Sequence, residues 1–216
     1  MTVVTRTRNV RHVGSWSDQW GIFQMLIRDA QAQVSRVYLG GLVGQTVSGM
    51  LWLASAALAT WRTPEAAILL LVFGGFLIYP VTSAALRICG RPAALSRDNP
   101  LRWMAMQVAF VLPVSMPLVA PVAMYRLNLF FPAMAILLGA HYLPFATLYG
   151  MRSFLALGAA LVVCGIAVGL YLPGASFALA GWIAGVILLV FGFVQYAEWR
   201  HSTRIVQQDA QKGLAA

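Results

Sequence analysis

No Asp, Glu, Lys or Arg stands deep inside any apolar stretch of this 216-residue chain, and His141 is the one histidine that does. An imidazole in hydrocarbon loses roughly 2–5 kcal/mol unless it finds a hydrogen-bond partner. Three kinds of chemistry suit it. It can act as a strut, bonding a hydroxyl or carbonyl on a neighbouring helix. It can carry a proton or touch a substrate. It can ligate a metal or haem, but His12 and His201 are far away in sequence and no Cys-x-x-Cys is present, so neither metal nor cofactor is expected. The missing midplane carboxylate argues against a proton-coupled pump.

A loose recurrence surrounds the histidine. Tyr79-Pro80-Val81-Thr82, Pro113-Val114-Ser115 and Tyr142-Leu143-Pro144 with Thr147 each set a proline beside a hydroxyl. A proline inside a helix removes one hydrogen bond and pushes away the carbonyl four residues earlier. Those carbonyls belong to Phe76, Ala109 and Ala140. In a membrane they need a side chain, water or ligand. Thr82, Ser115, Thr147, Tyr79, Tyr142 and Gln107 are the side chains placed to serve. By depth, Gln107, Ser115 and Thr82 are the expected partners of His141. Two outcomes fit the pattern: a small polar cavity among three kinked helices, or bends that serve packing alone.

The elements that must position these residues follow from charge. The chain is 60% hydrophobic and 10% charged, more apolar surface than a soluble domain of this size can hide. Charge-free runs occupy 37–61, 66–86, 103–125, 127–151 and 153–197. A helix needs about 20 apolar residues to cross the hydrocarbon core. The first four runs each fit one crossing. The last fits two, divided at Pro173-Gly174-Ala175-Ser176. The predicted fold is all-α, a polytopic bundle of six transmembrane helices over 38–198. The alternating strands of a membrane barrel are not visible. Pro113, Pro117 and Pro121 predict a bent or broken third span. Gly40 and Gly44, Gly165 and Gly169, and Gly181 and Gly185 are spaced four apart, which lets helix backbones approach. Packing within the chain is their first expected use, and contact with a second copy or another membrane protein the next.

Before the bundle, residues 1–14 read as a disordered basic start. Residues 15–37 read as an amphipathic helix with Trp16, Trp20, Phe23, Ile27, Ala30, Val34 and Val37 on one stripe and Ser15 with Asp18 as a capping box. Lying in the membrane interface is the expected placement. Packing against the loops or a partner is the alternative. Neither this segment nor the first span reads as a cleavable signal. Residues 199–216 form a polar tail able to continue as a short helix.

Of the 15 basic residues, all but Arg62 and Arg126 fall before the first span, around the loop after the second, after the fourth, or in the tail. The positive-inside bias therefore puts both termini in the cytoplasm, next to anionic lipid headgroups. The net charge of +9 comes with no nucleic-acid-binding motif, so no nucleic-acid partner is expected. Cys89 and Cys164 differ in depth and are not expected to pair.

Gly40-Gly41 and Gly44, Ser48-Gly49-x-x-Trp52, Asn99-Pro100-Leu101, and above all Gly139-Ala140-His141-Tyr142-Leu143-Pro144-Phe145 with Leu148-Tyr149 resemble a family of small bacterial six-helix membrane proteins of unknown function. The resemblance covers about residues 38–196. It implies a six-helix bundle in a bacterial inner membrane and no established activity, so no catalytic residue transfers. The leading expectation is a small transport or permeation unit for a neutral or weakly polar molecule, with its site among the second, third and fourth spans. A structural or regulatory subunit binding another membrane protein is the first alternative. An intramembrane enzyme acting on lipid is the second, set back because no nucleophile–base pair or acidic metal set is grouped.

Overall fold

A computed structural model of the protein describes residues 16–172 and 174–215. Its elements are α1 (Trp16–Val37), α2 (Leu42–Trp61), α3 (Pro64–Ile88), α4 (Arg102–Ser115), α5 (Val119–Tyr125), α6 (Phe130–Tyr149), α7 (Ser153–Ile166) and α8 (Leu179–Ala215). Six stretches are long and apolar enough to cross a membrane: Leu39–Trp61, Pro64–Ile88, Arg102–Tyr125, Leu127–Tyr149, Ser153–Tyr171 and Leu179–Ile205. No strand occurs among the described residues. The all-α, six-span class read from the charge pattern is the class observed.

Local chemistry sets the boundaries. The Thr63 hydroxyl accepts a hydrogen bond from the Ala66 amide at 3.2 Å, and Pro64 takes the first helical position of α3. α6 ends at Gly150 in the left-handed conformation, and α7 begins three residues later. The third span breaks where its prolines predict: a tight 3-10 turn, Met116–Leu118, separates α4 from α5. Helices α3, α4 and α6 run through Pro80, Pro113 and Pro144.

Helix α2 packs between α3 and α8, while α6 and α7 form a close antiparallel pair that also meets α8. α4 and α5 run along α6. Glycines set the close approaches. A Cβ on Gly139 would lie 2.6 Å from the Gly158 carbonyl oxygen, and one on Gly165 would lie 2.5 Å from that of Pro132. Across the α2–α8 seam, Gly49 meets Leu189 and Gly185 meets Leu53. These glycines serve packing within the chain. The deeply buried core includes Phe131, Phe154, Leu86, Leu157, Leu161 and Leu188. The second and third spans turn Phe73, Phe76, Leu77, Trp103, Phe110 and Val114 outward.

Three features add to the sequence reading. First, over residues 26–37 part of the stripe of α1 packs against protein, the alternative placement read from the sequence. Ala30, Val34 and Val37 are buried, Gln31 Nε2 donates to the Thr147 carbonyl at 2.6 Å, and Ser35 Oγ donates to that of Tyr149 at 3.2 Å. The end of α6 exposes carbonyls with no helical partner, and α1 supplies donors to them. The side chains of Trp16, Trp20 and Phe23, the cap at Ser15 and the segment 1–14 lie outside what is described. Second, α4 starts at Arg102, and Asn99 caps the turn before it, its Oδ1 accepting from the Leu101 amide at 2.8 Å. Its Nδ2 donates to the Ala30 carbonyl at 3.1 Å and to Gln33 Oε1 at 2.6 Å. Third, residues 199–215 continue α8 without a break, so the expected boundary at 198 divides one helix.

Candidate functional site

The expected ring of partners around His141 does not assemble. His141 is half-buried on α6, and its Nδ1 is enclosed without a hydrogen-bond partner. Its ring packs edge-on against Phe145 at 5.2 Å and tilted against Tyr142 at 5.7 Å. Gln107 points out of the bundle from α4, Tyr79 is 64% exposed on α3, and the Thr147 side chain is exposed at the end of α6. Ser115 is half-buried at the break of the third span. Thr82 is buried, but its Oγ1 also lacks a partner. Helix phase explains the difference. Gly139 and Leu138 face the core, and Tyr142, one turn on, shares that face. His141 stands about 100° away from Tyr142 around the helix and falls on the flank. Gln107 follows from the sparse packing of α4, whose one buried residue is Val108.

The structure gathers a different set. Gln45 and Ser48 on α2, Tyr142 on α6 and Gln195 on α8 are all buried, Gln195 completely. The Tyr142 hydroxyl adjoins Ser48 and Gln45. Gly192, one turn before Gln195, lies against Gln45: a Cβ there would be 3.0 Å from the Gln45 Cβ. Thr82 approaches from α3 on the far side of Gly44, 3.9 Å from where a Cβ would stand. Within this set Gln45 Oε1, Thr82 Oγ1 and both amide atoms of Gln195 have no hydrogen-bond partner.

Aromatic rings wall the cluster. Phe154 stacks on Tyr142 at 6.4 Å and lies 4.8 Å from Tyr149, which in turn meets Tyr38 at 6.5 Å. At the end of the bundle that carries α1, backbone covers it. Leu39, Gly40 and Gly41 have φ of 52°, 66° and 95°, a run of left-handed residues that only glycine adopts freely. A Cβ on Gly41 would lie 3.5 Å from Gln195 Oε1 and 3.1 Å from Phe154 Cζ, and one on Gly40 would lie 3.0 Å from the Gln195 carbonyl. The turn thus presses onto α8 where Gln195 sits.

Nothing in the spacing of Gln45 and Gln195 links them; they are 150 positions apart and come to one seam because α2 packs on α8. Neutral amides do not interrupt a charge-free run, so the charge pattern passes over them. Their cost in hydrocarbon was the available signal. At the opposite end of the bundle a shallow cavity of about 20 Å³ is lined by Arg126, Asn128, Val168, Gly169 and Ser176 among others; it does not reach His141 or the amides.

Fold and buried site together define a multi-pass α-helical membrane protein. The chain belongs to a family of unknown function, DUF7010, whose model matches residues 27–198. The match takes in the docked half of α1, the first five spans and most of the sixth. No curated protein and no solved structure matches the chain.

Proposed function

We propose that this protein is a small permeation or transport unit for a neutral or weakly polar molecule, set in a bacterial inner membrane with both termini cytoplasmic. One observation carries the reading: polar side chains without partners lie buried in spans that hold no deep charge. An unpartnered buried amide costs roughly 1–3 kcal/mol, and such groups persist where water or a ligand completes them. The absence of a deep carboxylate or cation matches a solute that is itself neutral. The proposed site lies between the first, fourth and sixth spans, not among the second, third and fourth. Orientation rests on the basic residues that gather at the α1 end.

The test of activity is stopped-flow light scattering on proteoliposomes loaded against gradients of glycerol, urea and acetamide. Faster relaxation than protein-free vesicles for at least one solute is expected. Identical relaxation for all three removes the reading. Orientation is tested by labelling single cysteines in intact cells. A cysteine at Gly174 should react with a membrane-impermeant maleimide and one at Leu95 should not; the reverse pattern inverts the topology.

A further inference from the structure

We propose that Gln45 and Gln195 form a recognition site for one small neutral molecule that presents a hydrogen-bond donor and acceptor side by side, as a primary carboxamide does. The proposal deepens the permeation reading and rests on it for the route, though not for the binding itself.

The residues argue the ligand class. A carboxamide side chain offers one carbonyl acceptor and one NH₂ donor in a plane. Gln195 is completely buried and uses neither; Gln45 is 3% exposed, with the Tyr142 hydroxyl beside its side chain. The two amides do not bond each other, although Gly192 brings their helices close enough for a Cβ to touch Gln45. What remains is the Gln195 amide, an unpaired donor and acceptor beside the seam of α2 and α8. A primary carboxamide complements such groups through paired N–H···O=C bonds. An ion has no opposite charge here to offset its desolvation, since no Asp, Glu, Lys or Arg stands deep in a span. A purely apolar guest leaves the amides as unsatisfied as before.

The surroundings restrict size and entry. Tyr142 and Phe154 bound the cluster on one side. Gln45 lies six residues into its span, about 9 Å from the α1 end at 1.5 Å per residue. Between that end and Gln195 Oε1 stands Gly41, whose left-handed turn closes backbone over the buried amide.

The experiment uses the full chain, wild type and as Gln195→Leu, Gln195→Met, Gln45→Leu and the double leucine variant. Two readouts are taken: thermal unfolding in detergent with and without acetamide, and acetamide flux in proteoliposomes. The Met variant guards against a misfit of the branched leucine. Acetamide is expected to raise the wild-type Tm and to leave that of Gln195→Leu and Gln195→Met unchanged. Without acetamide, the Gln195 variants should unfold at or above the wild-type temperature, because each removes an unpartnered amide. Protein-mediated acetamide flux should fall about tenfold in either, the equivalent of one good hydrogen bond.

The alternatives separate cleanly. If single variants unfold at lower temperature and the double variant restores it, the amides are glue between α2 and α8 and the site is overturned. An acetamide-induced Tm shift equal in wild type and variants also overturns it. Flux that persists undiminished in correctly folded variants removes the site and leaves permeation standing. A wild-type Tm shift lost in the variants, with no flux in any protein, keeps the site and removes permeation.

Discussion

In the half of α2 away from α1, Ser55 donates to the Ala67 carbonyl at 2.7 Å, and Thr60 accepts from Trp182 Nε1 at 3.1 Å. In the half nearer α1, Gln45 Oε1 has no partner, and across the seam Gln195 has none at either amide atom. Both halves lie against α8, and glycines set the approach in both: Gly185 against Leu53 in one, Gly192 against Gln45 in the other. The same kind of packing therefore supports two uses of a buried polar group. Where the group is small and a carbonyl stands opposite, it ties helices together. Where it is a long amide facing rings and glycine backbone, it is left available.

The largest expected effect breaks the seam in the half away from α1. A Cβ on Gly185 would stand 2.6 Å from the Leu53 side chain and 3.1 Å from its backbone nitrogen. Gly185→Val should cost about 3 kcal/mol by overpacking the seam, read as a lowered Tm in detergent. Gly174→Ala, which meets nothing within 4 Å, is the control and should unfold with wild type. Equal Tm values would mean that the seam yields and that glycine does not set it.

A smaller effect isolates the satisfied half. Ser55→Ala removes the α2–α3 bond and should destabilise by about 1 kcal/mol. Set beside the leucine variants of Gln195, it should move Tm in the opposite direction. If both substitutions lower Tm alike, the two halves of α2 are not different in kind.

The smallest effect concerns His141. Read from sequence, the histidine is a bonded strut whose loss to leucine is destabilising. With Nδ1 unpartnered, His141→Leu should instead change stability by no more than about 0.5 kcal/mol. A fall in Tm beyond that would show that the imidazole holds a partner in the membrane, through water or lipid, and would return it to the candidate site.

How much was legible differs by feature. Charge-free runs mark spans because a charge in hydrocarbon is costly, and helix ends follow because Thr63, Pro64 and Gly150 act on their own neighbourhoods. The break of the third span is equally local, a consequence of closely spaced prolines. The docking of α1 was half legible: the stripe of Ala30, Val34 and Val37 announces a buried face without saying whether lipid or protein covers it. Gln31, Ser35 and Asn99 decide that, and each bonds a residue at least 60 positions away.

The candidate site lay at the far end of this scale. A histidine among prolines draws the eye because its type is rare in a span, yet rarity says nothing of direction. Whether His141 or Tyr142 faces inward depends on where Gly139 lets α7 approach. By itself the sequence determined membrane residence, six spans and the distribution of basic charge, because those follow from the transfer energies of single residues and runs. Only the tertiary structure decided that Gln45 and Gln195 share one seam, since that depends on α2 and α8 packing together across four intervening spans. The energy of that contact belongs to the pair of helices and is written in neither one alone.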